Sequence, residues 1–317
     1  MRVRPLSAVF ALLASASVIA QPAVAAERTV VKEVFSPDGT ISRVRVAEPP
    51  SEPAPLSAVA AAEVVPIQQT GPSASRFDLV FVGDGYTASQ MATYHQHVVN
   101  RWAELTKIEP YKSLKQSFNV WQVNVVSNQS GVDGDPSQGV RRDTALDMNF
   151  WCGGTERLLC VNETKAKQYA ASAPQVDQVL AVANSTKYGG AGGGVATSSG
   201  GNAQSGGIVA HELGHSIGGL ADEYDYPNDL YTGSEPGEVN VSVYPSATMS
   251  QHRLKWYTYL GKASPDGGVI GTYQGAYYHR RGVYRPTDNS LMRTLGRPFN
   301  LIGLDVMRTA IQRKTGG

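Results

Sequence analysis

His211-Glu212-Leu213-Gly214-His215 places two imidazoles four residues apart, with a carboxylate directly after the first. On an α-helix, four residues advance about 6 Å along the axis and return to the same face. Two imidazoles so placed can converge on one metal ion, and zinc suits this kind of donor. Glu212 would sit beside that metal without binding it, where a carboxylate can take a proton from water. A catalytic zinc site takes three protein ligands and keeps one position open. Asp222 and Glu223 follow within a turn of chain and are the candidates for the third ligand.

The elements that must position these groups are legible around them. Ile208-Val209-Ala210 leads into the motif, and Val209, Leu213 and Ile217 form an apolar stripe at helical spacing. Gly218-Gly219 then predicts a helix end through a left-handed residue, after which the chain reverses toward the metal. Upstream, residues 189–207 are rich in glycine. No Gly-Lys-Ser/Thr ending is present, which argues against a phosphate loop. We expect Val195-Ala196-Thr197-Ser198 to be an edge strand close to bound substrate, where small side chains let backbones approach.

Further upstream the pattern is scaffold. Phe77–Val82 is a short, nearly continuous apolar run, as in a strand buried on both faces. Thr87-Ala88-Ser89-Gln90 matches a capping box, and Met91, Tyr94, Val98, Trp102 and Leu105 continue at spacings of three and four. Strands are expected at Phe118–Val126 and Gln178–Ala183. Alternating strands and helices predict an α/β (α+β) domain, with a mostly parallel sheet and helices packed on it. Residues 27–48 read as a hairpin about Pro37-Asp38-Gly39, and Glu48–Ser75, rich in Pro and Ala, reads as a linker. The expected organisation is a signal peptide over 1–25, a hairpin plus linker over 26–75 that is either a propeptide or a small accessory domain, and a catalytic domain over 76–317.

Arg2 and Arg4, the apolar stretch Leu6–Ala20 and Ala23-Val24-Ala25 have the form of a cleaved secretory leader. The apolar stretch is short for a membrane span. The mature chain is therefore expected outside the cytoplasm, secreted or periplasmic, without stable membrane insertion. Cys152 and Cys160, the only two cysteines, are expected to form a disulfide in that compartment. The formal charge is +1, with no polybasic run, so nucleic acid is excluded as a partner.

The stretch His211-Glu212-Leu213-Gly214-His215-Ser216-Ile217-Gly218-Gly219-Leu220-Ala221-Asp222-Glu223-Tyr224 resembles the signature of the bacterial IgA-peptidase-type metallopeptidases, relatives of the metzincins. The resemblance extends to Val82-Gly83-Asp84-Gly85-Tyr86-Thr87, Phe118-Asn119-Val120-Trp121, Tyr284-Arg285-Pro286 and Ser290-Leu291-Met292-Arg293. It implies a secreted zinc endopeptidase acting on protein or peptide. Its implied fold is metzincin-like, a sheet-and-helix half above a zinc cleft and a smaller half below. Metzincins commonly carry their third ligand six residues after the second histidine, where this chain has Ala221. Alanine cannot bind zinc. Asp222 is preferred over Glu223, because a short side chain holds a metal more rigidly. Met292, or more weakly Met249, is a candidate for the methionine that floors such sites, and the tyrosines and basic residues of Tyr277–Arg285 for lining the cleft. Two other classes remain: a non-catalytic zinc-containing binding module, and a zinc hydrolase of non-peptide amides. Only three ligands can be named from the sequence, which argues against a closed structural site.

Overall fold

The protein is described from a computed structural model covering residues 28–48 and 62–316. The leader over 1–25 and residues 49–61 of the linker lie outside the described residues.

The chain begins with a hairpin, β1 (Thr29–Phe35) against β2 (Ile41–Ala47), turning at Pro37-Asp38-Gly39 with Gly39 at φ 87°. A six-stranded sheet follows, built from β3 (Val64–Gln68), β4 (Phe77–Asp84), β5 (Phe118–Val123), β6 (Gln178–Ala183), β7 (Gly190–Ala191) and β8 (Ala196–Ser199). Its order is β3-β5-β4-β6-β8-β7. The four central strands are parallel, and the edge strands β3 and β7 are antiparallel to their neighbours. Helices α1 (Met91–Leu105), α2 (Glu163–Ala170) and α3 (Gly206–Gly218) are interleaved with the strands. Beyond α3 come β9 (Asp225–Leu230), α4 (Ser246–His252), β10 (Tyr273–Ala276), β11 (Tyr278–Arg285) and α5 (Leu301–Thr315), with a three-stranded sheet in the order β10-β11-β9. The architecture is a mixed α/β fold.

β4 shows why continuous apolar runs mark the centre of such a sheet. Leu79 and Phe81 point into a core shared with α1, α3 and α5, while Val80 and Val82 point into a second core on the α2 face. Two buried faces require apolar residues at both parities of the strand. At its end, the Asp84 carboxylate accepts from the backbone N–H of Leu146 (2.9 Å) and Met148 (2.8 Å), and from the hydroxyls of Ser127 (3.1 Å) and Thr144 (2.9 Å). One buried carboxylate thus pins the long connection between β5 and α2.

Two expectations are corrected. Part of the stretch read as linker is β3, paired to β5 along the sheet edge. Its Val64, Val65 and Ile67 are few enough to vanish in a Pro- and Ala-rich average, and Pro66 is tolerated on an edge strand. The segment Val195–Ser198 is not the edge: β8 lies inside, and the short β7 covers it. The periodic helix after the capping box, β6, the hairpin and the Cys152–Cys160 disulfide stand where the sequence puts them.

Candidate metal centre

Helix α3 carries the motif through the middle of the molecule. Ile208 to Gly214 are all buried, because the helix packs against β8 on one side and α1 and α5 on the others. Gly214 permits this packing. A Cβ there would meet Met292 Sδ at 2.7 Å and the Phe299 ring at 3.0 Å. Met292 therefore lies directly against the turn between the two histidines, whereas Met249 packs with Trp256 and Ile270 in a separate cluster. The helix ends at Gly219, which adopts φ 58°, ψ 32° and returns its N–H to His215 O. The chain then doubles back, placing Asp222 beside the histidines.

Both imidazoles are oriented from behind. His211 Nδ1–H donates to Leu291 O (3.1 Å), and His215 Nδ1–H donates to Leu220 O (2.6 Å). These bonds assign the lone pairs to the two Nε2 atoms, which face each other at 3.0 Å. Two lone pairs at that distance repel unless a cation lies between them. Asp222 Oδ1 stands 3.3 Å from each Nε2 and has no hydrogen-bond partner of its own. Its other oxygen accepts from the Tyr278 hydroxyl at 2.6 Å. The chemistry of this donor set fits a divalent metal.

A fourth group enters that the sequence did not point to. Glu33, on β1 of the hairpin, puts Oε2 3.3 Å from His211 Nε2 and 3.6 Å from His215 Nε2, and its Oε1 accepts from the Tyr224 hydroxyl. Ligand atoms of Glu33, His211, His215 and Asp222 all lie within 4.8 Å of one another, the group of described residues suited to holding a metal ion. The only signal in the sequence was an acidic residue at an inward position of a strand far from the motif. Tyr278 does line the cleft, as expected for the tyrosines of Tyr277–Arg285, and it holds Asp222, whereas Tyr224 was marked only as the last residue of the signature stretch. Tyr277 and Tyr278 both have positive φ, 51° and 73°, strain stored where β11 meets the cleft.

Glu223 faces elsewhere. Its carboxylate is fully buried, accepting from Asn240 Nδ2 (2.9 Å), Ser290 Oγ (2.7 Å) and Asn300 Nδ2 (2.9 Å). It ties the post-helix turn to the Met292 segment and to α5. Asp225 is held by Arg280 at 3.0 Å and by Arg293. The remaining histidines take no part in the cluster. His95 and His97 bond Gln122 and Tyr86, His279 pairs with Asp229, and His252 is exposed.

Glu212 lines the cleft with Glu33, Asp222 and Tyr278, around a cavity of about 390 Å³. Its Oε1 is buried without a hydrogen-bond partner. Burial, and then the charge of Glu33, push its carboxyl up to about 7. Burial alone would lower His211, but its contacts with Asp222 and Glu33 outweigh it and raise it to about 10. Burial would raise Asp222, but the two histidines hold it well below the usual carboxylate range. Gly192 presses against Glu212 from the β7 side: a Cβ there would lie 1.8 Å from Oε2. A larger cavity of about 740 Å³ lies away from these groups, by the hairpin tip, Lys107 and Phe299.

Two histidines on a buried helix, with Asp222 and Glu33 turned toward the imidazoles, form a group that could hold a metal ion. The profile of the family described as IgA Peptidase M64 matches residues 65–266 and 258–311, most of the chain. The protein belongs to that metallopeptidase family. No curated protein matches it.

Proposed function

We propose that the protein is a secreted zinc-dependent endopeptidase whose metal is held by His211, His215 and Asp222. The observation that carries this reading is the buried, unpartnered Glu212 carboxylate beside a converging donor set. Zinc is favoured by geometry. Donors placed 2.0–2.1 Å from a tetrahedral zinc are separated by about 3.3–3.4 Å. The separations here run from 3.0 to 3.3 Å among the three proposed ligands. Calcium prefers roughly six to eight oxygen donors, and two imidazoles are the wrong chemistry for it.

A zinc ion bound there would polarise both a water and the scissile carbonyl. The chain's own residues do the rest. Leu291 and Leu220 carbonyls fix the tautomer and ring orientation of the histidines. Tyr278 holds one oxygen of Asp222 so that the other faces the imidazoles. Glu212 accepts the proton of the attacking water and returns it to the departing amine, base and then acid in one turnover. A carboxyl held near 7 is suited to both tasks. The leader-like N-terminus and the disulfide support export from the cytoplasm.

One observation favours a second reading. Glu33 brings a fourth donor, and four protein ligands are the mark of a structural zinc site. A structural site, however, has no use for a buried glutamate oxygen that has no hydrogen-bond partner. The deciding experiment is hydrolysis of casein or a peptide library by purified protein, with and without a zinc chelator, beside Glu212→Gln. Cleavage abolished by both treatments supports the peptidase. A folded protein holding one zinc that cleaves no member of the library, with Glu33 in place or replaced, favours the binding module.

A further inference from the structure

We propose that the N-terminal hairpin holds this enzyme latent, with Glu33 as a removable fourth metal ligand in the position that catalysis needs open. The inference rests on the metal site proposed above and adds to it what closes that site. Glu33 Oε2 completes a pyramid over the two imidazoles, at 3.3 and 3.6 Å from their Nε2 atoms. These separations lie within 0.3 Å of those between Asp222 Oδ1 and the same atoms, 3.3 Å each. A carboxylate oxygen that repeats the spacing of a ligand stands at a ligand's distance from the centre. A tetrahedral zinc with four protein donors has no position left for water or substrate.

The hairpin also covers the ground around the metal. Val31, Lys32 and Glu33 of β1 line the cleft together with Glu212, as does Arg43 of β2. Lys32 Nζ donates to Gly192 O at 3.0 Å, on the strip of backbone beside Glu212. Arg43 stacks over the Tyr278 ring at 3.6 Å. Tyr224 grips the second Glu33 oxygen. An extended substrate would need the same backbone strip and the same metal face. The hairpin and the substrate exclude each other.

Three observations make the hairpin a detachable part and not a wall of the active site. It forms its own two-stranded sheet and adds no strand to the six-stranded one. The family match begins at residue 65, after it, so Glu33 lies outside the matched unit. Its attachment is a side-on docking: Val34 and Val46 pack on Leu158 and Ala191, Phe35 and Ile41 pack on Ile208 and Tyr224, and Arg157 bonds Phe35 O. An open catalytic position and a buried general base require that this docking be reversible.

The test uses the full chain loaded with cobalt(II), whose visible absorption reports its coordination, and acetohydroxamate as a small probe of an open metal position. Wild type, Glu33→Ala and Glu33→Gln are compared. Glutamine keeps the side-chain volume and the contact with Tyr224 should alanine fail to fold. We expect the wild-type spectrum to resist acetohydroxamate, and the variants to bind it at least 10-fold more tightly. The variants should also hydrolyse peptides at least 10-fold faster. Equal hydroxamate affinity in all three proteins overturns the proposal, as does loss of cobalt from the Glu33 variants as complete as from Asp222→Ala. Variants that open to hydroxamate yet cleave no peptide would uphold Glu33 as the closing ligand and show that the rest of the hairpin still shuts out the substrate. Failure of every protein to bind cobalt would sink the metal site, and latency with it.

Discussion

Gly192→Ala tests whether Glu212 works from the position the structure gives it. The added Cβ would fall 1.8 Å from Glu212 Oε2 and 2.2 Å from its Cδ, where real Cβ atoms essentially never come closer than 3.0 Å. The difference, 3.0 − 1.8 Å, means that the carboxylate or the strand must give way by about 1.2 Å. A displacement of about 1 Å in a catalytic group costs on the order of 100-fold in rate. Gly192 has an ordinary backbone φ, so alanine should strain nothing else. The metal donors are untouched. We expect zinc content, unfolding midpoint and near-ultraviolet circular dichroism to stay near those of the parent, while kcat on a peptide substrate falls by about two orders of magnitude. The comparison should be made in the Glu33→Gln background, so that latency does not mask the loss. A kcat within threefold of the parent would show that Glu212 moves freely or does not act on the water, and would refute the reasoning.

Glu212→Gln should keep its zinc and its stability while losing roughly 10²- to 10⁴-fold in kcat, read from steady-state kinetics beside metal analysis. Equal turnover would remove Glu212 from the mechanism. Asp222→Ala should lose zinc, whereas Glu223→Ala should keep it but lose about 3–9 kcal/mol of stability. Three buried donors, from Asn240, Ser290 and Asn300, would be left without their acceptor at about 1–3 kcal/mol each. Denaturant unfolding with metal analysis distinguishes the two, and the reverse pattern would exchange their roles. In the metal-free protein the raised His211 stabilises the fold fully below its ordinary 6.5, and this contribution is lost as pH rises through about 10. Zinc must displace that proton, so its affinity should tighten from pH 6 to pH 8 with measurable proton release. Calorimetry in buffers of different ionisation heat would show it, and binding independent of pH would contradict it.

What could be read from the chain's sequence alone was the local chemistry. The four-residue spacing of His211 and His215, with Glu212 between, implies a helix because only a helix brings such side chains together. The continuous apolar runs of β4 and β6 and the Gly219 stop are likewise statements about neighbours in sequence. Rules of periodicity and capping act over a few residues and survive without the rest of the fold. The same rules failed where an average hid a short element, as at β3. They also failed where strand order mattered, as at β7 and β8.

The tertiary structure decided everything that depends on two distant segments meeting. Asp222 and Glu223 are adjacent and chemically alike. Which one faces the histidines follows from Gly219 reversing the chain and from Asn240, Ser290 and Asn300 claiming the other carboxylate. Glu33 lies 178 residues from His211, and nothing in a strand of alternating residues marks one glutamate as a metal donor. Its role comes from the hairpin docking on Leu158, Ile208 and Tyr224, a packing of apolar faces that no spacing in the sequence encodes. The sequence by itself determined that a metal could be bound and which base could work beside it. The fold determined which carboxylate turns inward and which strand lies across the site, because both are set by packing between segments far apart in the chain.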